Sequence, residues 1–345
     1  MSDLKSVLLV GGSGFLGIHL IEQFYKHCPN TEIHVFDARP LPEKLTSYFT
    51  VDISKVSCHL GDITSAKDIA DAIKASKCDV IVHSASPMHG NSEEIYHKVN
   101  VEGTLNLIQV AKDLKVKALV YTSSAGVIFN GGDIVNANET WPYPKVHMDG
   151  YNKTKEIAER AVMEANSKDL KTVCLRPAGI FGPGDRQLIP GLRQVAEAGQ
   201  YKFQIGDNNN LFDWTFVGNV ADAHVLAAKQ IFTNEKIAGE TFFVTNDEPG
   251  YFWSLARTVW KADGYIAKKN FVIPRPLGLV IGFIGQNIAK ITGKEGLTVF
   301  RVKISSANRY HDITKAKDLL GYKPAVSIDS GIQYTLDWMD DIKKL

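Results

Sequence analysis

The sequence predicts an α/β protein built on a doubly wound parallel sheet, with a smaller mixed C-terminal region. Three observations lead to this fold class. A buried strand, Ser6 to Val10, runs directly into a glycine-rich loop and then into an amphipathic segment. Strand-like and helix-like segments then alternate through about half of the chain. Several strands end in small or polar residues, where open parallel sheets place their ligands.

Apolar runs between turn residues predict the strands of the main sheet. In chain order they are Ser6–Val10, Glu32–Phe36, a strand ending at His59–Ile63, Asp79–His83, Ala118–Thr122 and Thr172–Leu175. Right-handed crossovers between them predict the sheet order 3-2-1-4-5-6. The segment Thr241–Thr245 is expected to return a further strand to this sheet, and Gly131–Pro144 is expected to be a loop.

The loop Gly11-Gly12-Ser13-Gly14-Phe15-Leu16-Gly17 has the spacing G-x-x-G-x-x-G. Gly11 permits a tight turn, and Gly14 lets backbone N–H groups approach a pyrophosphate at the helix N-terminus. Gly17 lets the helix and the strand pack closely. Together with Phe15 and Leu16, these residues form a candidate dinucleotide-binding loop, which is typical of a Rossmann sheet.

An acidic residue ends the second strand about 20 residues after this loop, as dinucleotide-binding sheets require. This residue, Asp37, is placed to accept hydrogen bonds from the adenosine ribose. Its charge would repel a 2′-phosphate, whereas Arg39 could accommodate one. The sequence therefore favours NAD and leaves NADP possible.

Residues at two other strand ends are predicted to line the same cofactor. Asp62 and Ile63 are expected to flank the adenine, and Ser84 and Ala85 are expected to contact the ribose and phosphate. The reason is that ligands of a doubly wound sheet lie beyond the carboxyl ends of its strands.

The segment Tyr151-Asn152-Lys153-Thr154-Lys155 predicts an acid/base pair. In a helix, Tyr151 and Lys155 share one face, and Asp149 is a candidate N-cap. A phenol with a pKa of about 10 is a poor base at neutral pH, but a neighbouring ammonium would favour the phenolate. Ser123 and Ser124 follow a buried strand and offer hydroxyl groups for the same chemistry.

Composition argues against two classes of partner. The 39 Lys and Arg residues nearly balance the 38 Asp and Glu residues, so no global field would attract nucleic acid. The four cysteines contain no C-x-x-C pair, and the ten histidines form no metal-ligand motif. We therefore expect reduced thiols, no bound metal and no nucleic-acid partner.

Longer segments carry a family resemblance. The stretches Val120–Gly131 and Arg176–Gly184 resemble the 3β-hydroxysteroid dehydrogenase branch of the extended short-chain dehydrogenase/reductase family. Within that branch, Ala85–Gly90, Asp185–Arg193 and Gly206–Trp214 resemble the decarboxylating sterol-4α-carboxylate dehydrogenases of fungal type. The resemblance extends throughout the chain.

This resemblance implies roles for particular residues. Tyr151 would be the acid/base, Lys155 would tune its pKa and contact the ribose, and Ser124 would hydrogen-bond the reacting oxygen, with Ser123 as the competing choice. The residues expected at the nicotinamide are Pro177, Ala178 and Ile180. The candidates for substrate contact are Met88, His89, Asn100, Phe129, Arg186 and Arg193. For Asn100, a structural role inside a helix is an equal alternative.

The implied reaction is oxidation of the 3β-hydroxyl of a 4α-carboxysterol, followed by loss of CO2 to give the 3-ketosterol. Three alternatives stay open: a 3β-hydroxysteroid dehydrogenase/Δ5-Δ4 isomerase, a nucleotide-sugar epimerase or dehydratase, and an NAD(P)-sensing binding protein without catalysis. A sugar enzyme would need arginines for a diphosphate, where this chain offers apolar residues such as Met88 and Phe181.

Domain organisation follows the same pattern. We expect residues 1–185 to form mainly the Rossmann domain and residues 186–345 mainly a substrate-binding lid, with segments at about 215–245 returning to the sheet. The apolar run Leu277–Ile284 is too short to span a bilayer. It could rest in a membrane interface or cover an apolar pocket, and we hold these two alternatives equal.

The resemblance also implies a cellular setting. It places the protein peripherally on the cytosolic face of the endoplasmic reticulum membrane. Its expected partners are a sterol, a membrane surface, the C4-methyl oxidase, 3-keto reductase and scaffold of sterol C4 demethylation, and a second copy in a homodimer.

Overall fold

The chain folds into an α/β structure, known from a computed structural model that describes residues 4–292 and 296–342. Its strands are β1 Ser6–Val10, β2 Glu32–Asp37, β3 Ser57–Leu60, β4 Val80–His83, β5 Ala118–Thr122, β6 Ile134–Ala137, β7 Lys171–Pro177, β8 Gly179–Phe181, β9 Phe203–Ile205, β10 Leu211–Phe212, β11 Trp214–Phe216, β12 Glu240–Val244, β13 Gly250–Tyr251, β14 Phe271–Ile273 and β15 Arg309–His311. Its helices are α1 Phe15–His27, α2 Ala66–Ser76, α3 Glu93–Tyr96, α4 Gly103–Asp113, α5 Gly150–Glu164, α6 Leu188–Glu197, α7 Val217–Gln230, α8 Phe252–Ala262, α9 Arg275–Thr292, α10 Val299–Ser306 and α11 Ile328–Ile342.

The central sheet has seven parallel strands in the order β12-β7-β5-β4-β1-β2-β3. This is the predicted order 3-2-1-4-5-6 with β12 added at the edge, so the predicted Rossmann sheet is confirmed, including the returning strand near residues 241–245. The strand β3 ends at Leu60, and Asp62 and Ile63 therefore lie just beyond it. The division of the chain into two domains near residue 185 stays a prediction.

Apolar side chains cover both faces of the sheet because its strands are buried on both sides. In β1, Val7 and Leu9 belong to one core, whereas Leu8 and Val10 belong to the core on the opposite face. All four side chains are at most 1% exposed. A continuous apolar run is what a parallel strand between two helical layers requires. The helix α7 packs against α1 in one of these layers.

The loop between β1 and α1 is closely packed on its surroundings. Gly11 has a φ of +86°, and a Cβ atom there would lie 2.6 Å from the backbone of Ala85 after β4. A Cβ atom on Gly17 would lie 2.4 Å from the Gly11 carbonyl oxygen. Such distances exclude a side chain at both positions, in agreement with the roles expected for these glycines.

A second sheet joins parts of the chain that are distant in sequence. Its order is β13-β10-β15-β6, and β15 pairs with β6 across about 175 residues. Two further two-stranded sheets, β11-β8 and β14-β9, complete the C-terminal region. The prediction of a simple loop at Gly131–Pro144 is wrong, because residues 134–137 form β6 and pair with a strand that has no strong local signal.

Helix α9 has one face of small residues and one of large apolar residues. Gly278, Gly282 and Gly285 lie against residues 297–302, and added Cβ atoms at Gly282 and Gly285 would approach that backbone to 2.9 and 2.5 Å. This packing directs the large side chains outward. Those at least 39% exposed are Leu277, Val280, Ile281, Phe283, Ile284 and Ile288. Contact with a membrane interface and cover of an apolar pocket both stay predictions for this segment.

None of the helices in the described ranges has the length and apolar character needed to cross a membrane.

We predict that Gly11→Ala destabilises the protein more than Gly321→Ala does. Both glycines have positive φ, of 86° and 63°, but an added Cβ atom meets nothing within 4 Å at Gly321. Gly321→Ala should therefore lose about 1 kcal/mol, and Gly11→Ala should lose about 3 kcal/mol, because the clash adds to the backbone strain. Urea unfolding of the two variants measures this difference. Equal midpoint shifts would contradict the described packing of the loop.

Candidate active site

Tyr151 and Lys155 lie in the first turns of α5, and Asp149 caps this helix as predicted. The Asp149 carboxylate accepts a hydrogen bond from the backbone N–H three residues later at 2.7 Å. Lys155 is only 2% exposed. Its ammonium donates to the Thr122 carbonyl oxygen at 2.8 Å and to the Tyr121 hydroxyl at 3.3 Å. These two hydrogen bonds fix α5 to the end of β5.

The protein environment changes the pKa of both acid/base groups in the direction that favours their uncharged forms. Burial raises the pKa of Tyr151 well above its usual value, the Asp149 charge adds to this rise, and a hydrogen bond with Ser124 opposes it. Burial lowers the pKa of Lys155 to about 7, although the Glu159 charge acts in the opposite direction. The expectation that the ammonium directly lowers the pKa of Tyr151 stays a prediction, because burial, Asp149 and Ser124 account for the main contributions to this pKa in the structure. The hydrogen bonds of Lys155 go to the β5 end, and burial of the phenol dominates.

The structure distinguishes the two serines after β5. The Ser124 hydroxyl accepts a hydrogen bond from the Gly126 N–H at 3.0 Å and also interacts with Tyr151. The Ser123 hydroxyl is buried and has no hydrogen-bond partner among the described residues. Ser124 is therefore the serine that lies with the phenol, whereas Ser123 lies inside the core.

The glycine loop leaves the first N–H groups of α1 available to an anion. No side chain caps this helix at Gly14, and no acidic residue occupies its first turn. The first-turn residues Phe15, Leu16 and Gly17 thus present backbone donors at the positive end of the helix dipole. A dinucleotide pyrophosphate fits this chemistry.

Asp37 lies at the end of β2 beside the glycine loop. Its carboxylate accepts hydrogen bonds from the backbone N–H groups of Ser13 at 3.1 Å and Arg39 at 3.0 Å. The Arg39 side chain approaches the same carboxylate, with 3.9 Å between Nε and Oδ1. The acid is therefore fixed at the position where a ribose would be recognised, with the arginine as its neighbour.

The residues predicted near the adenine lie at the adjoining strand end. The Asp62 carboxylate accepts a hydrogen bond from the Thr64 N–H at 2.8 Å, and Ile63 is buried. After β4, the Ser84 hydroxyl donates to the Val10 carbonyl oxygen at 3.2 Å. Its neighbour Ala85 lies against Gly11, as described above. The β4 end thus contacts the glycine loop, and the β3 end is bonded to the end of β2 through the Gly61 N–H and the Asp37 carbonyl oxygen at 3.1 Å.

The residues predicted at the nicotinamide follow the next strand. Pro177 ends β7, and the Ala178 N–H donates to the Val244 carbonyl oxygen at 3.2 Å. Ile180 lies in β8 and pairs with Thr215 of β11. The segment is thus held on both sides by backbone pairing, which places it beyond the carboxyl end of the sheet.

The loop after β4 carries Met88 and places His89 against Tyr151. The centre of the Tyr151 ring lies 4.1 Å from the centre of the His89 ring and 5.7 Å from that of the Tyr96 ring. His89 remains accessible to solvent, and its partial burial against these groups lowers its pKa. Met88 is 55% exposed, and its carbonyl oxygen accepts a hydrogen bond from the Tyr96 hydroxyl at 2.9 Å.

Asn100 connects this loop to α5. It lies in a π-helical stretch between α3 and α4, accepts a hydrogen bond from the Ser86 hydroxyl at 2.9 Å and donates to the Thr154 hydroxyl at 3.1 Å. Since both ends of its amide are occupied by protein groups, Asn100 positions the Tyr151 helix.

The candidate arginines differ in how much of their charge is available. Arg186 is exposed, whereas Arg193 donates to the Asp263 carboxylate at 2.7 Å and is compensated by it. Phe129 is fully buried, five residues beyond Ser124. The ring of Phe129 is covered on one face by an arginine that has no sequence motif.

This residue, which sequence reasoning missed, is Arg309, at the start of β15. Its guanidinium carbon lies 4.2 Å from the centre of the Phe129 ring and 5.2 Å from that of Phe212. Within the described part of the chain, its buried Nε has no hydrogen-bond partner. A lone arginine in a short segment 154 residues beyond Lys155 carries no motif, so only the pairing of β15 with β6 and β10 reveals its position.

All four cysteines are free. Across residues 4–292 and 296–342, no group of His, Cys, Asp and Glu side chains has an arrangement that could hold a metal ion.

Comparison with known sequences assigns the chain to a family. Residues 8–275 match the 3-beta hydroxysteroid dehydrogenase/isomerase family. The decarboxylating sterol-4-alpha-carboxylate 3-dehydrogenase of Candida albicans is 68% identical, with 98% of this chain and 99% of that protein covered. The enzyme of the same name from Saccharomyces cerevisiae is 60% identical, with 99% of both chains covered.

Solved structures share the fold at lower identity. An epimerase from Methanothermobacter thermautotrophicus has a TM-score of 0.77 at 21% identity, covering 99% of this chain and 94% of its own. The dTDP-glucose 4,6-dehydratase of Bacillus anthracis, solved with NAD, has a TM-score of 0.74 at 18% identity, covering 99% and 98%. At such identities the likeness concerns the fold alone, whereas the sequence matches reach further: the chain belongs to the 3-beta hydroxysteroid dehydrogenase/isomerase family.

Proposed function

We propose that this protein oxidises the 3β-hydroxyl of a 4α-carboxysterol with NAD and releases the 4-carboxylate as CO2. The observation that carries the proposal is full-length identity of 68% and 60% to enzymes named for this reaction. The site supports it, because Tyr151, Ser124 and Lys155 lie together at the carboxyl end of the sheet.

We assign the cofactor to the glycine loop and the strand ends beside it. The uncapped N-terminus of α1 suits a pyrophosphate, and the fixed carboxylate of Asp37 suits a ribose with two free hydroxyls. NAD is therefore favoured over NADP, for which Arg39 would have to replace this recognition. When bound, NAD supplies the hydride acceptor and a positive ring that favours the phenolate.

In the first step, Tyr151 removes the proton of the sterol 3-hydroxyl while C3 loses hydride, and a 3-ketone results. Ser124 donates a hydrogen bond to the reacting oxygen and holds it beside the phenol. Lys155 does not contact the reacting oxygen in this scheme, and it keeps α5 in place through its hydrogen bond to the Thr122 carbonyl oxygen. Its buried amine lies 3.3 Å from the Tyr121 hydroxyl and could pass a proton to it.

In the second step, the carboxylate is β to the new ketone, so the bond from C4 to the carboxyl carbon can break. CO2 leaves, the electron pair enters an enolate, and a proton later returns to C4. Tyr151 and Ser124 are positioned to hydrogen-bond the enolate oxygen, as preorganised donors do in an oxyanion hole. The same two residues thus serve both steps.

We further propose that the outward face of α9 contacts a lipid bilayer. This face carries Val280 and Phe283, which are 57% and 60% exposed, and the neighbouring strand β14 adds exposed apolar residues. The cations Lys268 and Lys269 lie beside it and suit anionic lipid headgroups, and the proposed substrate dissolves in lipid.

The other expected partners stay predictions. They are the C4-methyl oxidase, the 3-keto reductase, the scaffold and the homodimer, together with the cytosolic face of the endoplasmic reticulum as the location.

We expect Tyr151→Phe to lose both NADH formation and CO2 release by about 10²-fold or more, because the variant lacks the acid/base hydroxyl. Both products should be measured in one incubation with a 4α-carboxysterol and NAD. Tyr25→Phe, at an exposed position, serves as the control and should keep wild-type rates. Near-normal turnover by Tyr151→Phe would contradict the role of Tyr151 as the acid/base.

The adjacent serines give a matched pair for the same assay. Ser124→Ala should lower turnover about 10²-fold because it removes a donor to the reacting oxygen. Ser123→Ala should leave turnover unchanged, since its hydroxyl is buried without a described partner. The reverse pattern would transfer the role to Ser123.

The lowered pKa of Lys155 predicts a pH-dependent stability. Between pH about 7 and about 10, Lys155 is neutral in the folded protein but protonated in the unfolded chain. The unfolded state then binds more protons, so this residue makes the free energy of unfolding rise with pH in that window. The difference between wild type and Lys155→Met in urea unfolding should therefore grow from pH about 7 to about 9. Lys153→Met, at an exposed position on α5, should show a constant difference.

For the membrane contact, we expect the double variant Val280→Asp/Phe283→Asp to lose flotation with liposomes of mixed neutral and anionic lipid. Two charges on the apolar face oppose its burial in the interface. Leu105→Asp, on α4 and 48% exposed, should float like the wild type. Unchanged flotation of the double variant would contradict the proposal that α9 contacts the bilayer.

A further inference from the structure

Arg309 carries a charge that the described protein does not neutralise. The carboxylates whose charges reach it, Asp149 and Asp213, are both engaged elsewhere. Asp149 caps α5, and Asp213 accepts hydrogen bonds from His311, at 2.8 Å from its backbone N–H and 3.0 Å from its Nδ1. No ion pair within 4.0 Å joins Arg309 to either of them in the described residues.

The aromatic rings around Arg309 hold it without using its donors. The guanidinium lies over Phe129 and Phe212, at 4.2 and 5.2 Å from their centres. A guanidinium on aromatic faces keeps the N–H groups at its edge free for an anion, and its fork matches a carboxylate. Burial lowers the pKa of Arg309 to about 10, so the side chain remains charged at neutral pH.

Two connections place this charge beside the reacting groups. Phe129 directly follows the short turn Ala125–Ile128, which Ser124 caps. On the other side, the His89 ring lies against the Tyr151 ring at an angle of 49°, and the charge of Arg309 contributes to lowering the pKa of this histidine, after burial. The guanidinium therefore acts on both the Ser124 and the Tyr151 sides of the site.

Three of the residues predicted to contact the substrate, His89, Arg186 and Arg193, could also supply a positive charge, but they are weaker candidates on the same criteria. Burial lowers the pKa of His89 and so disfavours its charged form, Arg193 is compensated by Asp263, and Arg186 is exposed. A second cation, Lys303, has its ammonium 3.7 Å from the Met148 sulfur. It lacks the planar donor fork and the aromatic support of Arg309, so it serves as a competing position in the test.

We propose that Arg309 binds the carboxylate next to the reacting carbon and thereby selects acidic sterols over neutral ones, an inference that rests on the proposed function. The bidentate contact would orient the ring so that the 3-hydroxyl meets Tyr151 and Ser124. It would also compensate the guanidinium, whose burial without a partner costs stability in the free enzyme. Arg309 is on this account a specificity-determining residue.

The test compares binding of a 4α-carboxysterol and the matched 4α-methylsterol to the enzyme saturated with NADH, where no oxidation can occur. Arg309→Gln should raise the Kd of the acid about 10- to 100-fold and leave the Kd of the methylsterol within about twofold. Arg309→Lys keeps the positive charge but loses the paired N–H donors of the guanidinium, so its Kd for the acid should lie between those of the wild type and Arg309→Gln. Because the substitutions remove no hydrogen bond or ion pair with the described residues and change only the contact with the Phe129 and Phe212 rings, melting temperatures should fall little.

Several results would overturn the inference. They are equal losses for both sterols, unchanged binding of the acid by Arg309→Gln and Arg309→Lys, and an acid-specific loss in Lys303→Gln that Arg309→Gln does not show. A separate assay tests the proposed function: it measures the NADH and CO2 that the wild-type protein produces from NAD and a 4α-carboxysterol. Absence of these products from wild type would refute the function. Normal wild-type products, together with an Arg309→Gln variant that changes the Kd of both sterols equally or not at all, would refute only the role of Arg309.

Discussion

The hydrogen bond from Lys155 Nζ to the Thr122 carbonyl oxygen is the contact on which the arrangement of the site depends. It joins α5 to the end of β5 inside the core, where an unmade hydrogen bond would be costly. The Thr122 hydroxyl is also hydrogen-bonded, at 2.7 Å, to His224 of α7. Helices on both faces of the sheet are thereby fixed to one residue. Tyr151 gains its position from this connection.

Burial of these groups has an electrostatic result that sequence spacing alone could not give. The i, i+4 pattern of Tyr151 and Lys155 correctly placed both residues on α5, but it suggested a charged pair. In the folded protein, burial favours the neutral form of each group. The sequence also could not reveal Arg309, because its neighbours Phe129 and Phe212 are distant along the chain and meet it through strand pairing.

The main sheet was predictable because its signals are local. Buried runs such as Val7–Val10, the glycine loop and Asp37 follow one another within one strand-loop-helix-strand unit. The second sheet was not predictable, since β10 has only two residues and β6 pairs across the chain with β15. The spacing of Gly278, Gly282 and Gly285 was readable in the sequence. It needed the partner backbone at residues 297–302 to show which face of α9 points inward.

The outward apolar face of α9 has a consequence for how the rate would depend on substrate. A protein held at a bilayer by this face meets a lipid-dissolved molecule in two dimensions. The relevant concentration is then the mole fraction of sterol in the lipid, and adding more lipid at constant sterol dilutes the substrate even though the bulk concentration is unchanged. Saturation would accordingly be described by a surface density, and a membrane richer in other sterols would act as a competing solvent.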